Sequence, residues 1–260
     1  MPVNSPFGII REVLPLQTAI LIQHCQSHHH VNQQARLWPD FRNGLTELGR
    51  HQALCIAKRL DDEVDGQPCR VYSSPMRRAA ETAEIICEEL AMTPQPVHDL
   101  HEYLGRFALE RTEDGEEWPM DNSNWSLFDW RPFPNAETWR EFYGRVAEAM
   151  DGVTEQHSDE EIAIFCVHGG TLSNIVVWWL DIPLDVLPER TCFSATPGSL
   201  SVLSRNRYGN PIIERLNDRA HLPYDNQRRI MPNRVAGGFS PPAPTPPGMR
   251  VRASTNDSHH

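Results

Sequence analysis

The sequence predicts an α/β fold, a three-layer αβα sandwich around a mostly parallel central sheet. Three observations carry that expectation. Two short apolar runs stop abruptly at histidines: Ile20-Leu21-Ile22 leads into Gln23-His24, and Ile162 to Val167 leads into His168. A third run, Cys69-Arg70-Val71-Tyr72, breaks into Ser73-Ser74-Pro75-Met76-Arg77-Arg78. Runs of this length alternate with apolar stripes at helical spacing, the pattern of a parallel sheet covered on both faces. In such open sheets ligands sit beyond the carboxyl ends of the strands. Two histidines and an arginine therefore have a physical reason to converge.

The elements follow in chain order. After the first strand, Leu45, Leu48, Gln52, Cys55, Ile56 and Leu60 form a largely apolar stripe, predicting a helix over about 46–62 with Thr46 as N-cap. Met76, Ala79, Ala80, Ala83, Ile86, Cys87 and Leu90 predict a second helix reaching about Met92. A third helix is expected from Glu137 to about Gln156, leading into a strand at 161–167, and a fourth from about Thr171 to Leu180. Ser199 to Leu203 and Ile212 to Leu216 read as closing strands on either side of the turn-like Tyr208-Gly209-Asn210-Pro211.

Residues 105–135 fit neither period. They hold Trp118, Trp125, Trp130 and the acidic cluster Glu113-Asp114-Gly115-Glu116-Glu117, and are expected to form an inserted cap over the sheet edge. The domain should therefore occupy 18–222, after an N-terminal extension at 1–17. From 223 to 260 the apolar density falls, and Pro241-Pro242-Ala243-Pro244-Thr245-Pro246-Pro247 marks a disordered, polyproline-prone tail.

Bulk properties narrow the function. A chain of 260 residues can build its core without a disulfide or metal staple. The net charge of −11 argues against a binder of nucleic-acid backbones. The six cysteines form no CxxC pair, so a disulfide framework is not expected. Residues 1–17 lack a secretory pattern, and the apolar segment Ile175 to Leu180 is far too short for a bilayer. The expectation is a cytoplasmic protein with no membrane or nucleic-acid partner. A homodimer is admitted by the sequence but not specified by it.

Five ordered segments carry a family resemblance. They are Gln23-His24-Cys25, Leu45-Thr46-Glu47-Leu48-Gly49-Arg50-His51-Gln52-Ala53, Ser74-Pro75-Met76-Arg77-Arg78-Ala79-Ala80-Glu81-Thr82-Ala83, Leu100-His101-Glu102 and Val167-His168-Gly169-Gly170. Together with the closing Leu216 to Leu222 segment they resemble the histidine phosphatase superfamily, whose fold is phosphoglycerate-mutase-like. The resemblance covers about residues 18–222. It implies a metal-independent phosphomonoester hydrolase acting through phosphohistidine on a small organic phosphate. His24 would be the nucleophile, Arg78 and His168 would hold the phosphoryl oxygens, and Glu102 would move the proton. Gln23, Ser27, Asn32 and Gly169 would help bind substrate. No cofactor and no metal are expected, because adjacent His28-His29-His30 on one loop suit tetrahedral ligation poorly.

Two departures from the family pattern are visible. Gln23 and Cys25 flank the histidine where the family has arginine and glycine, and a carboxamide cannot make the bidentate contact of a guanidinium. The family's asparagine position falls on His30, so Asn32 or His28 to His30 are expected to replace the lost donors. These departures leave two alternatives: a phosphate-binding pseudophosphatase, or an enzyme reusing the pocket for non-hydrolytic acid–base chemistry. Carboxylates outnumber arginines between Arg106 and Arg131. A monophosphate on a bulkier, partly aromatic group suits that segment better than a bisphosphate.

Overall fold

The computed structural model describes residues 16–32, 42–103, 128–131, 136–158, 160–186 and 192–223. Most of the expected cap, including Trp118 and Trp125, and nearly all of the expected terminal segments lie outside them.

Six strands form one sheet: β1 (Thr18–Gln23), β2 (Cys69–Ser73), β3 (Gln95–Pro96), β4 (Ile162–Val167), β5 (Leu200–Arg205) and β6 (Pro211–Asp218), in the order β3-β2-β4-β1-β5-β6. The pairs β1–β4, β2–β4 and β2–β3 are parallel, while β5 runs antiparallel to both β1 and β6. The central strands are buried on both faces, which explains their unbroken Ile/Leu/Val/Phe composition.

Side-chain alternation splits the core into two layers. Leu21, Ala163, Phe165 and Val167 point one way, onto Phe142, Val146 and Met150 of α4 (Trp139–Gln156) and Leu172, Ile175 and Val176 of α5 (Gly169–Trp179). Ile20, Ile22, Ile164 and Cys166 point the other way, onto Ala53, Ile56 and Leu60 of α2 (Glu47–Val64) and Ala83, Ile86 and Cys87 of α3 (Arg77–Glu89). This is the expected three-layer sandwich.

The helix limits differ from expectation for local reasons. Thr46 caps α2, its hydroxyl accepting from Gly49 N at 3.0 Å. Helix α3 stops at Glu89, because Ala91 turns left-handed at φ 53° and Thr93 precedes a proline that disfavours helical backbone. Thr138 delays the start of α4: its hydroxyl accepts from Glu141 N, and Glu141 reaches back to Thr138 N. Helix α5 begins immediately after His168, which is itself the N-cap. A single turn, α1 (His28–Val31), was not foreseen.

Candidate active site

The site lies beyond the carboxyl ends of three neighbouring strands. His24 follows β1, the Ser74–Arg78 segment follows β2, and His168 follows β4. Two bonds continue the ladder past the strands: His24 N donates to Val167 O at 2.8 Å and Ser74 N to Cys166 O at 3.0 Å. Residues 24, 74 and 168 are thus held side by side by backbone, before any side chain acts. The rings of His24 and His168 lie 5.1 Å apart in edge-to-face contact.

Hydrogen bonds set the tautomer of His24. Its Nδ1 is 2.8 Å from the carbonyl oxygen of Cys25, which can only accept, so Nδ1 carries the proton. Arg78 Nε donates to His24 Nε2 at 3.1 Å, so Nε2 presents its lone pair. Burial, reinforced by the guanidinium, holds this imidazole well below its ordinary range and keeps it neutral. The arrangement is a buried, oriented, unprotonated ring nitrogen beside a positive charge.

Arg78 sits in the first turn of α3 and is almost fully buried. Thr82, one turn on, donates to Arg78 O at 2.8 Å and accepts from Cys25 N at 3.1 Å, tying the histidine loop to the arginine helix. His168 Nε2 bonds Ser74 Oγ at 2.8 Å, and Ser74 Oγ also accepts from Met76 N. The ring of His168 is likewise pushed below the ordinary range by burial and by Arg78. Its Nδ1 is buried and has no partner among the described residues.

Glu102 is fixed by two backbone donors, Tyr103 N and Gly170 N, each at 2.9 Å. Burial raises its pKa, against those two bonds and Arg78, so it can hold a proton above the usual carboxylate range. Gly170 is required here: a Cβ would run into Glu102 Oε1 and come 3.1 Å from the ring of Phe142. The resulting set is a neutral imidazole, a guanidinium, a second histidine and a carboxyl with a raised pKa. That combination can receive a phosphoryl group and protonate its leaving oxygen.

The remaining sequence candidates are placed as follows. Gln23 is buried at 3% exposure and its amide lies beside Gly169, where a Cβ would be 3.6 Å from Oε1. That oxygen has no partner among the described residues. Ser27 is fully buried, and its hydroxyl is taken up by neighbouring histidines rather than turned to solvent: it lies 2.8 Å from His29 Nδ1 and 3.2 Å from His30 Nδ1. Asn32 is exposed beyond the end of α1, its N–H bonded to His28 O. The rings that approach His24 from this loop are those of His29, at 5.7 Å, and His30, at 5.2 Å. Ser74, which bonds His168, and Thr82, which joins Cys25 to Arg78, were not among the sequence candidates, although both stand inside the quoted arginine segment.

Comparison with known proteins identifies the family. Residues 19–219 match the histidine phosphatase superfamily (branch 1). A Hydrogenobacter thermophilus protein, whose name of phosphoserine phosphatase 2 is itself provisional, is 33% identical over 177 residues, 64% of this chain and 80% of its own length. The metal-independent phosphoserine phosphatase of Arabidopsis thaliana is 30% identical over 165 residues, 60% of this chain and 66% of its own. Among solved structures, a mycobacterial glucosyl-3-phosphoglycerate phosphatase bound to VO3 superimposes with a TM-score of 0.59 at 20% identity, covering 78% of this chain and 100% of that one. Bacillus stearothermophilus YhfR superimposes at 0.58 with 23% identity, over 78% and 98% of the two chains. Sequence motifs, strand-end geometry and family match converge: the chain belongs to the histidine phosphatase superfamily.

Proposed function

We propose that the protein is a phosphomonoesterase that works through phosphohistidine at His24, without a metal ion. One observation supports the reading: His24 Nδ1 is committed to Cys25 O, so Nε2 is the unprotonated nitrogen, its lone pair held by Arg78 Nε until the guanidinium turns to the phosphoryl oxygens. In the first step Nε2 attacks phosphorus and the ester P–O bond breaks. Glu102 gives its proton to the departing oxygen. Arg78, His168 and the N-terminus of α5 hold the phosphoryl oxygens. In the second step Glu102 takes a proton from water, the hydroxide oxygen bonds phosphorus, and the P–N bond breaks to restore His24. Positive charge on the attacking imidazole is stabilised by the Cys25 carbonyl.

The two curated relatives are named phosphoserine phosphatases, so phosphoserine is the first natural substrate to try beside a generic aryl phosphate. His24→Ala should reduce turnover of both to background. Undiminished hydrolysis by that variant would discard the mechanism. Gln23 favours a second reading, a pseudophosphatase that holds phosphate without cleaving it. Vanadate binding with no turnover across a broad phosphate panel would select that reading.

A further inference from the structure

We propose that Arg145 of α4, gripped by Glu137, is a positioning residue for the proton-donating carboxyl of Glu102. Its kinetic consequences rest on the phosphomonoesterase reading above; the geometry, and one of its two tests, stand without turnover.

Glu102 lies two residues beyond a single helical turn, His98–Leu100. Leu100 is fully buried and plugs that turn into the core, but apolar burial is non-directional and does not aim the backbone that follows. Direction comes from α4. Arg145 Nη1 donates to Asp99 O and, at 3.1 Å, to His101 O, the carbonyls on either side of Leu100. Thr171 of α5 adds a second donor to His101 O at 3.2 Å. The main chain is thus fixed immediately before Glu102, while Gly170 N holds the carboxyl at the far end of the side chain.

The arginine is itself held rigid. Its Nε and Nη2 meet Glu137 in a forked pair, with Nη2 2.8 Å from Oε1 and Nε 3.2 Å from Oε2. Its guanidinium carbon lies 4.9 Å from the centre of the Phe142 ring, which also walls the space beside Gly170. The side chains of Arg145 and Glu137 are only 17% and 14% exposed, so the pair is unlike the solvent-screened surface bridges that contribute little. Nε, Nη1 and Nη2 are all engaged within the protein. Arg145 therefore holds main chain and does not take a phosphoryl oxygen. A lysine cannot replace it, because a compact ammonium lacks the planar fork that joins two carbonyls to one carboxylate.

Arg145 acts on the Glu102 carboxyl in two opposite senses. Its charge favours the ionised form, an effect weaker than the burial that raises the pKa. Its grip on the chain preserves that burial. The other groups acting on the carboxyl are Arg78 from α3 and the backbone donors Tyr103 N and Gly170 N, with His101 beside it in the chain and His168 at the head of α5. Where position dominates, loss of Arg145 lets the carboxyl swing toward water, and its pKa falls toward the ordinary range. Where charge alone matters, the pKa rises further.

NMR of the full chain carrying carboxyl-labelled glutamate follows that titration, with the Glu102 signal identified by its absence from Glu102→Gln. In Arg145→Met the pKa of Glu102 should fall. Steady-state kinetics give the second readout. Arg145→Met should lower kcat on phosphoserine at least about tenfold with KM nearly unchanged. The loss on nitrophenyl phosphate should be much smaller, because that leaving group departs without a proton. Arg145→Lys and Glu137→Gln should follow the same pattern to a lesser degree. Placed in a Glu102→Gln background, Arg145→Met should add no further loss on phosphoserine, since the carboxyl it positions is gone. A general loosening of the fold would instead reduce both substrates alike and add to the loss in Glu102→Gln. A Glu102 pKa that rises or stays put, equal losses on the two substrates, or additive losses in the double variant would overturn the proposal. The titration needs no turnover, so it still decides the role of Arg145 where undiminished hydrolysis by His24→Ala has discarded the phosphohistidine reading.

Discussion

Glu102 and Gly170 depend on each other. The carboxylate accepts from Gly170 N, and the missing side chain of Gly170 leaves room for the other carboxylate oxygen. Gly170→Ala should push Glu102 out of register and lower kcat by about 10²-fold, within the range for losing a positioned general acid. Circular dichroism would check that the fold persists, and an unaltered kcat would show that Glu102 has no catalytic part. Glu102→Gln makes a sharper prediction. Leaving groups that need a proton, such as serine, should suffer more than nitrophenolate, which departs unaided. Equal losses on phosphoserine and nitrophenyl phosphate would argue against proton donation. Gln23 bears on charge: Gln23→Arg should raise hydrolysis if the glutamine only weakens the site, and lower it if the pocket is built around the amide.

Helix α3 acts as the backbone of the site because Thr82 joins it to the loop after β1. Its hydroxyl is buried and uses both capacities, donating to Arg78 O and accepting from Cys25 N. Thr82→Val keeps the volume but orphans the Cys25 N–H, which should cost about 1–3 kcal/mol in denaturant unfolding. It should also lower kcat, since His24 and Arg78 lose their common tether. Loss of activity without loss of stability would contradict that account. The strand ends were legible in the sequence because a buried parallel strand is a plain apolar run, and a histidine or arginine at its end is conspicuous. Helix α1 was not legible. Four residues, His28 to Val31, are too few to show a period, and three identical side chains give no hint of which ring turns inward. That is why Asn32 was expected at the site and His29 and His30 were left among alternatives. The two-residue β3 was hidden for the same reason, being recruited by pairing with Tyr72 and Ser73 rather than by its own sequence.

Across the whole molecule, the buried imidazoles link folding to pH. His24 and His168 are held well below 6.5, chiefly by burial, and His101 and His221 are lowered in the same direction. Below pH 6.5 the unfolded chain takes up protons that these rings refuse, so their contribution to stability is complete above that value and is lost as the pH falls through it. Glu102 works the other way, favouring the fold below its raised pKa, but it is one group against four. Melting temperature should therefore drop on moving from neutral to mildly acidic buffer, and a flat profile would contradict the buried neutral rings. No helix among the described residues is long and apolar enough to cross a membrane.

The proposed reaction requires a phosphoryl group to rest on His24 Nε2 during turnover. Rapid mixing with an aryl phosphate, an alkaline quench and peptide mass mapping test it most directly. An acid-labile phosphoryl group should appear on the peptide carrying His24, formed within the first turnover and absent from His24→Ala. Steady hydrolysis with no such adduct, or an adduct on another residue, would contradict it.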